Sequence, residues 1–313
     1  MPRYRTALPQ LSGDMFLTDA GLETDLIFNH GVEIREFAAH TLLPSSEGRA
    51  AVTRYFEGFL DLAKERNAGF ILDSATWKAH THWARDLGTD PVELRAANEE
   101  SIRFISELRD RYSQNAKPIV LNAIVGPCGD AYRPEIAIST DQAEAYHAEQ
   151  LGWLAETEAD MVTAATFNQA SEAAGLARAA RSTGLPAVVS FTVETDGALP
   201  TGQSLADAIA EVDEASDSYP AYFMINCAHP DHFSRVLQDA PWAHRIRGIR
   251  ANASRKSHAA LDEAPELDSG DPVELASQYR QLAERMPWLN VFGGCCGSDL
   301  RHVTEIARAL GAR

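Results

Sequence analysis

Phe16-Leu17-Thr18-Asp19-Ala20-Gly21-Leu22-Glu23-Thr24-Asp25 reads as a short apolar strand running into a polar loop. The loop carries one glycine. A doubly wound nucleotide-binding sheet places Gly-x-Gly-x-x-Gly after its first strand, so that architecture is disfavoured at the outset. The same unit, an apolar run followed by an amphipathic stretch, recurs along the chain. Strands are predicted at Phe16–Ala20, Gly69–Asp73, Ile119–Val125, Met161–Ala165, Ala187–Val193, Ala221–Asn226, Ile246–Arg250 and Asn290–Phe292. Helical periodicity covers Ala50–Asn67, Val92–Tyr112, Asp141–Glu158, Ala170–Ser182, Leu205–Ser216, Pro230–Leu237, Pro272–Arg285 and Asp299–Leu310. Ser139-Thr140 and Ser298-Asp299 supply helix caps at the expected places. Such units fit an α/β fold of the (β/α)8 TIM-barrel type, with residues 1–313 as a single domain. The open doubly wound sheet is the alternative. In a barrel the strand C-termini converge on one face, and Asp19, Asp73, Cys227, Cys295 and Cys296 all stand at such ends.

Composition narrows the function. The formal charge is −17, which argues against nucleic acid as a partner. No apolar run approaches the roughly 18 residues of a membrane span, and Met1–Phe16 lacks the apolar core of a signal peptide. A soluble cytoplasmic protein is expected. Four cysteines in 313 residues do not make a disulfide framework.

Two of those cysteines are adjacent, in Val291-Phe292-Gly293-Gly294-Cys295-Cys296-Gly297. A disulfide between neighbours strains the peptide that joins them, but flanking glycines let both sulfurs face one soft metal ion. Cys227, in Met224-Ile225-Asn226-Cys227, ends another strand and supplies a third thiol. A buried free cysteine is ordinarily a small hydrophobe; glycines on both sides of a cysteine pair contribute nothing to such a core. Three thiolates make a candidate Zn²⁺ site with a fourth position. Filled by protein, that position means structure; left open, it means chemistry. A thiolate-rich zinc is a weak Lewis acid that can still take up an incoming thiol as thiolate, which points to alkyl transfer to sulfur. Cys128, in Gly126-Pro127-Cys128-Gly129-Asp130, has no local partner and reads as a non-ligand.

With these motifs the chain resembles the zinc-dependent homocysteine S-methyltransferases. The resemblance runs from Asp19 to the last helix. Gly293-Gly294-Cys295-Cys296-Gly297 together with Asn226-Cys227 is its most specific part. Asp19–Leu26, Thr76-Trp77-Lys78-Ala79, Gly126-Pro127, Ser190–Val193 with Asp196-Gly197, and Asn252-Ala253-Ser254 support it. It implies a (β/α)8 barrel and direct methyl transfer from a sulfonium or betaine-type donor, such as S-methylmethionine or S-adenosylmethionine, to homocysteine, giving methionine. Cys227, Cys295 and Cys296 resemble the zinc ligands. Asp19 resembles the aspartate that holds the substrate ammonium, and Thr76 a substrate-contacting threonine. Gly21, Thr166 and Asn226 complete the expected substrate-binding set. No catalytic residue is expected beyond the zinc-bound thiolate. The partners are a small thiol and a methyl donor; the donor's identity and the oligomeric state stay open, although a long C-terminal arm is not expected after Cys296.

One position departs from the family. A second ammonium-binding carboxylate, a glutamate after the fourth strand, is replaced by Ala165. Either Glu23, Asp25 or Asp73 substitutes, or the acceptor is a thiol without an α-ammonium. A further alternative is a zinc-binding or redox-sensing barrel without turnover, its fourth position closed by His229 or Cys128. His229 is otherwise a candidate support for the ligands, while Tyr146-His147 reads as an ordinary helix segment. For the donor cation, aromatic faces at the barrel mouth are expected, with Trp77 and Tyr132 foremost and Phe28 and Phe167 behind.

Overall fold

Eight parallel strands close on themselves in sequence order. In the computed structural model they are β1 (Phe16–Leu17), β2 (Gly69–Asp73), β3 (Ile119–Val125), β4 (Met161–Phe167), β5 (Ala187–Phe191), β6 (Tyr222–Asn226), β7 (Ile246–Ala251) and β8 (Val291–Gly294). The structure describes residues 1–112, 117–132, 137–262 and 266–311. Closure comes from Phe16 opposite Val291 and Leu17 opposite Phe292. β2, β3, β5 and β6 are buried along their whole length, as expected for parallel strands covered on both faces.

Helices α1 (Ser46–Glu65), α2 (Pro91–Tyr112), α3 (Thr140–Ala155), α4 (Ala170–Thr183), α5 (Leu205–Ser216), α6 (Pro230–Phe233), α7 (Pro272–Arg285) and α8 (Leu300–Leu310) follow the strands in turn. Ser139 and Gln142 form a reciprocal cap on α3, and Asp299 with His302 does the same on α8. All eight strands and all eight helices expected from periodicity are present. Among the described residues, no helix is long and apolar enough to cross a membrane.

The differences lie at the ends. The regular pairing of β1 ends at Leu17, earlier than the expected Ala20, although the Asp19 carbonyl still accepts from Gly294 N–H at 2.9 Å, and Asp19 lines the barrel mouth. β4 runs on to Phe167 through a register shift between Ala164 and Phe167. Thr166, inside that irregularity, takes a left-handed φ of 64°. α6 stops at Phe233, where Val236 N–H bonds back to the Phe233 carbonyl and tightens the chain into turns. Helical turns at Thr81–Leu87 and His258–Asp262 were not legible in the apolar period.

The barrel base is packed by Phe16, Ile71, Val120, Met161, Val188 and Val291, one residue from each of six strands. This apolar plug leaves the upper interior as the place for polar groups. β8 approaches β1 closely there. A methyl group on Gly293 would stand 2.6 Å from the Asp19 carbonyl oxygen and collide with the Thr18 hydroxyl. Gly293→Ala is therefore expected to destabilise the protein by about 1–3 kcal/mol, the usual cost of overpacking. Urea unfolding of the variant measures this.

Candidate metal and substrate site

The three thiols meet as expected. Cys227 ends β6 and takes a left-handed φ of 57°, a conformation that costs a non-glycine residue about 1–3 kcal/mol. Hydrogen bonds hold it there. Its N–H donates to the Arg250 carbonyl (3.0 Å), and its own carbonyl accepts from Asn252 Nδ2 (3.1 Å). The Cys295-Cys296 turn is tied down on both sides. Cys295 N–H donates to Ala251, the Cys296 carbonyl accepts from Ala253, and Ser298 Oγ donates to the Cys295 carbonyl at 2.6 Å. Gly21 packs against this turn, where a methyl group would lie 2.7 Å from the Cys295 carbonyl oxygen.

The Sγ atoms of Cys227, Cys295 and Cys296 all lie within 4.8 Å of one another, and Cys227 and Cys296 are 3.5 Å apart. Tetrahedral Zn–S bonds of 2.3 Å place sulfurs about 3.8 Å apart. The residues therefore fit zinc in both donor type and spacing. Asn226 Nδ2 points at Cys295 Sγ from 3.7 Å while bonding Thr166 Oγ1 at 2.7 Å. Its Oδ1 accepts from Thr166 N–H and Ser190 Oγ. Thr166 and Asn226 thus lock together beside the sulfurs. Hydrogen bonds from Cys227 and Cys296 hold the Cys295 thiol well below its ordinary pKa.

These sulfurs line a cavity of about 440 Å³ at the barrel mouth, together with Asp19, Glu23, Asp73, Trp77, Lys78, Tyr132, Ala165 and Arg250. Arg250, near the end of β7, was not singled out from the sequence. Its guanidinium donates to Asp19 Oδ1 at 2.5 Å, closely to Asp73 Oδ2, and through Nε to the Gly294 carbonyl at 3.1 Å. Burial works against that charge, but Asp73 and Asp19 hold the guanidinium above its ordinary pKa. Asp19 also accepts from Tyr55 Oη, and Asp73 from Asn122 Nδ2 at 2.7 Å. Burial pushes the Asp19 carboxyl up to about 8, against the pull of Arg250. Asp19, expected to hold a substrate ammonium, already holds a protein cation. The signal for Arg250 was a charged residue ending an otherwise apolar barrel strand.

Ala165 faces the cavity with the Trp77 indole against it; Trp77 Nε1 donates to the Ala165 carbonyl at 3.1 Å. At position 165 the cavity wall therefore offers a methyl group and no acid. Lys78 Nζ lies 3.7 Å from the centre of the Trp83 ring and 5.7 Å from that of Trp77. Two protein cations thus stand at positions where substrate cations were expected. Glu23 differs from the other acids here, because its only hydrogen-bond partner among the described residues is its own N–H. Burial raises its carboxyl to about 7.

Several expectations need correction. Thr76 is fully buried, donates to the Ile124 carbonyl at 2.6 Å and does not line the cavity; its hydroxyl completes the β2–β3 contact instead. Phe167 is buried in the core against His147 rather than at the mouth. His229 accepts from Asp231 N–H as the cap of α6, and Cys128 sits beside Glu172. Neither joins the thiol group. Tyr132 does approach the site, but by its hydroxyl, 2.8 Å from Cys227 Sγ, while its ring stacks on His258. Burial and the neighbouring thiols raise that hydroxyl's pKa, so it keeps its proton and donates to sulfur. His147 is buried and bonded to Glu172 at 3.0 Å.

Comparison with known proteins agrees with this arrangement. The family model described as homocysteine S-methyltransferase matches residues 16–310. Homocysteine S-methyltransferase YbgG of Bacillus subtilis (strain 168) is 24% identical over 244 residues, which cover 70% of this chain and 72% of that protein. The fold is shared with the homocysteine methyltransferase MmuM from Escherichia coli. Its oxidized form superposes with a TM-score of 0.77 at 18% identity, over 98% of this chain and 99% of that one. The metallated form gives 0.76 at 19% identity, over 96% and 99%. The match spans the whole barrel with its three thiols, and the chain belongs to the homocysteine S-methyltransferase family and is a methyltransferase.

Proposed function

We propose that this methyltransferase moves a methyl group from a sulfonium or betaine-type donor to the sulfur of homocysteine, giving methionine, with zinc held by Cys227, Cys295 and Cys296. The observation that carries this reading is the convergence of three thiols, 4.8 Å apart or less, on the cavity at the barrel mouth. Zinc held by these three thiolates would supply a fourth position at which a substrate thiol could be bound as its nucleophilic thiolate.

The remaining work falls to the chain itself. The cavity desolvates both partners and lines them up, which is the main contribution a protein makes to such a displacement. A sulfur lone pair forms the new S–C bond. The electrons of the donor's old bond return to its sulfur or nitrogen, and the thiol proton leaves to solvent. Asn226 orients the Cys295 sulfur, and Tyr132 donates to Cys227. Phe28, Phe37 and Trp77 line the outer cavity and offer faces to a donor cation.

A second reading, in which the acceptor is a thiol without an α-ammonium, is favoured by Arg250 filling the place beside Asp19. One assay separates the two. Zinc-loaded protein is incubated with homocysteine and, in turn, S-methylmethionine, S-adenosylmethionine and betaine, and methionine is followed by mass spectrometry. Methionine formation with at least one donor is expected. None with any donor, beside methylation of another thiol, overturns homocysteine as acceptor.

A further inference from the structure

Asp19, Asp73 and Glu23 line the cavity with the three thiols, and the first two are committed. Asp19 and Asp73 share Arg250, and position 165 offers only a methyl group. We propose that Glu23 is the carboxylate that takes the acceptor's ammonium group in this chain; the inference rests on the homocysteine reading above.

The geometry puts Glu23 beside the sulfurs. It belongs to the helical turn Leu22–Thr24, and that turn is fastened directly to the cysteine pair. Gly21 N–H donates to the Ser298 carbonyl at 3.3 Å, and Gly297 N–H donates to Thr24 Oγ1 at 3.2 Å. Glu23 and the three thiols line the same cavity. Only a short aliphatic chain separates sulfur from ammonium in homocysteine, so a thiol seated at the cysteines presents its ammonium close by. A partly buried carboxylate without a directly bonded countercharge is costly, and the two protein cations that act on it from a distance are engaged elsewhere, Lys78 over the Trp83 ring and Arg250 on Asp19 and Asp73. Glu23 is thus a charge that a ligand completes. The donor reacts from the far side of the transferred methyl, which assigns Glu23 to the acceptor rather than to the donor.

The test compares binding of homocysteine and of 4-sulfanylbutanoate, which lacks only the amino group, to zinc-loaded wild type, Glu23→Gln and Glu23→Asp by calorimetry. Circular dichroism checks the fold, and donor KM is measured in parallel. Wild type is expected to prefer homocysteine. Glu23→Gln is expected to lose about 30-fold for homocysteine, the low end for removing one partner of a buried charge pair, with little change for the analogue. Glu23→Asp is expected to recover part of the loss. Unchanged homocysteine binding in Glu23→Gln overturns the proposal, as does an equal loss for both thiols or a shift confined to donor KM. Wild type that binds the analogue as tightly as homocysteine overturns it in favour of an acceptor without ammonium. Wild type that binds neither thiol takes down the homocysteine reading itself.

Discussion

Cys295→Ser is expected to yield a folded protein that has lost both its metal and its methyl transfer. Cys295 is the thiol with the lowered pKa, the one toward which Cys227, Cys296 and Asn226 all direct hydrogen bonds. A serine hydroxyl stays protonated at neutral pH and is a poor ligand for zinc beside thiolates. Changes to groups that only support a ligand already weaken metal affinity by about 10–100-fold, so losing a ligand is expected to exceed that. The barrel should survive, because its closure rests on eight paired strands and the apolar base rather than on the sulfurs. The measurements are zinc content after dialysis, circular dichroism and methyl transfer to homocysteine. Retained zinc, or unfolding along with metal loss, would each contradict the account. The second outcome would make the thiols a structural staple.

Arg250→Met should produce the largest change in stability. It removes the one cation that Asp19 and Asp73 share and leaves two buried carboxylates face to face. Breaking a buried pair in this way costs about 3–5 kcal/mol. The loss has a definite pH dependence. Burial already raises the Asp19 carboxyl above that of the unfolded chain, and without the guanidinium nothing opposes that rise, so the folded state binds the extra proton more tightly. The deficit is therefore greatest above the raised Asp19 pKa and shrinks as pH falls and that carboxyl protonates. Urea unfolding at pH 8 and pH 5 tests this, with zinc content expected to stay the same at pH 8. A deficit below about 1 kcal/mol, typical of an exposed pair, would show that the triad is hydrated and not buried.

Much of the molecule was legible before the structure. Short apolar runs marked the strands because a parallel barrel strand, covered on both faces, has few polar positions to interrupt it. The glycines flanking Cys295 and Cys296 marked a place where the backbone can bend to turn both sulfurs toward one metal ion. Boundaries were less legible. The early end of β1 and the irregularity at Thr166 follow from contacts with β8 and with Asn226, not from the residues' own preferences. Thr76 and Phe167 lie away from the cavity for a related reason. Thr76 follows the end of β2 and Phe167 ends β4, and contacts with neighbouring elements turn both side chains inward.

The sequence by itself determined the sulfur chemistry and the alternation that builds a barrel, since both depend on residue type and on neighbours only a few positions away. Only the tertiary structure decided which charges answer one another. Arg250 meets Asp73 across 177 residues of chain and Asp19 across 231. Such pairs form only once β7, β1 and β2 have been brought around the closed sheet. Electrostatic energy depends on separation in space and on burial, and no local pattern encodes either. That is why Asp19 read as an open ammonium site in the sequence and turned out to be occupied by an arginine, while Glu23 lines the same cavity with no ion pair among the described residues.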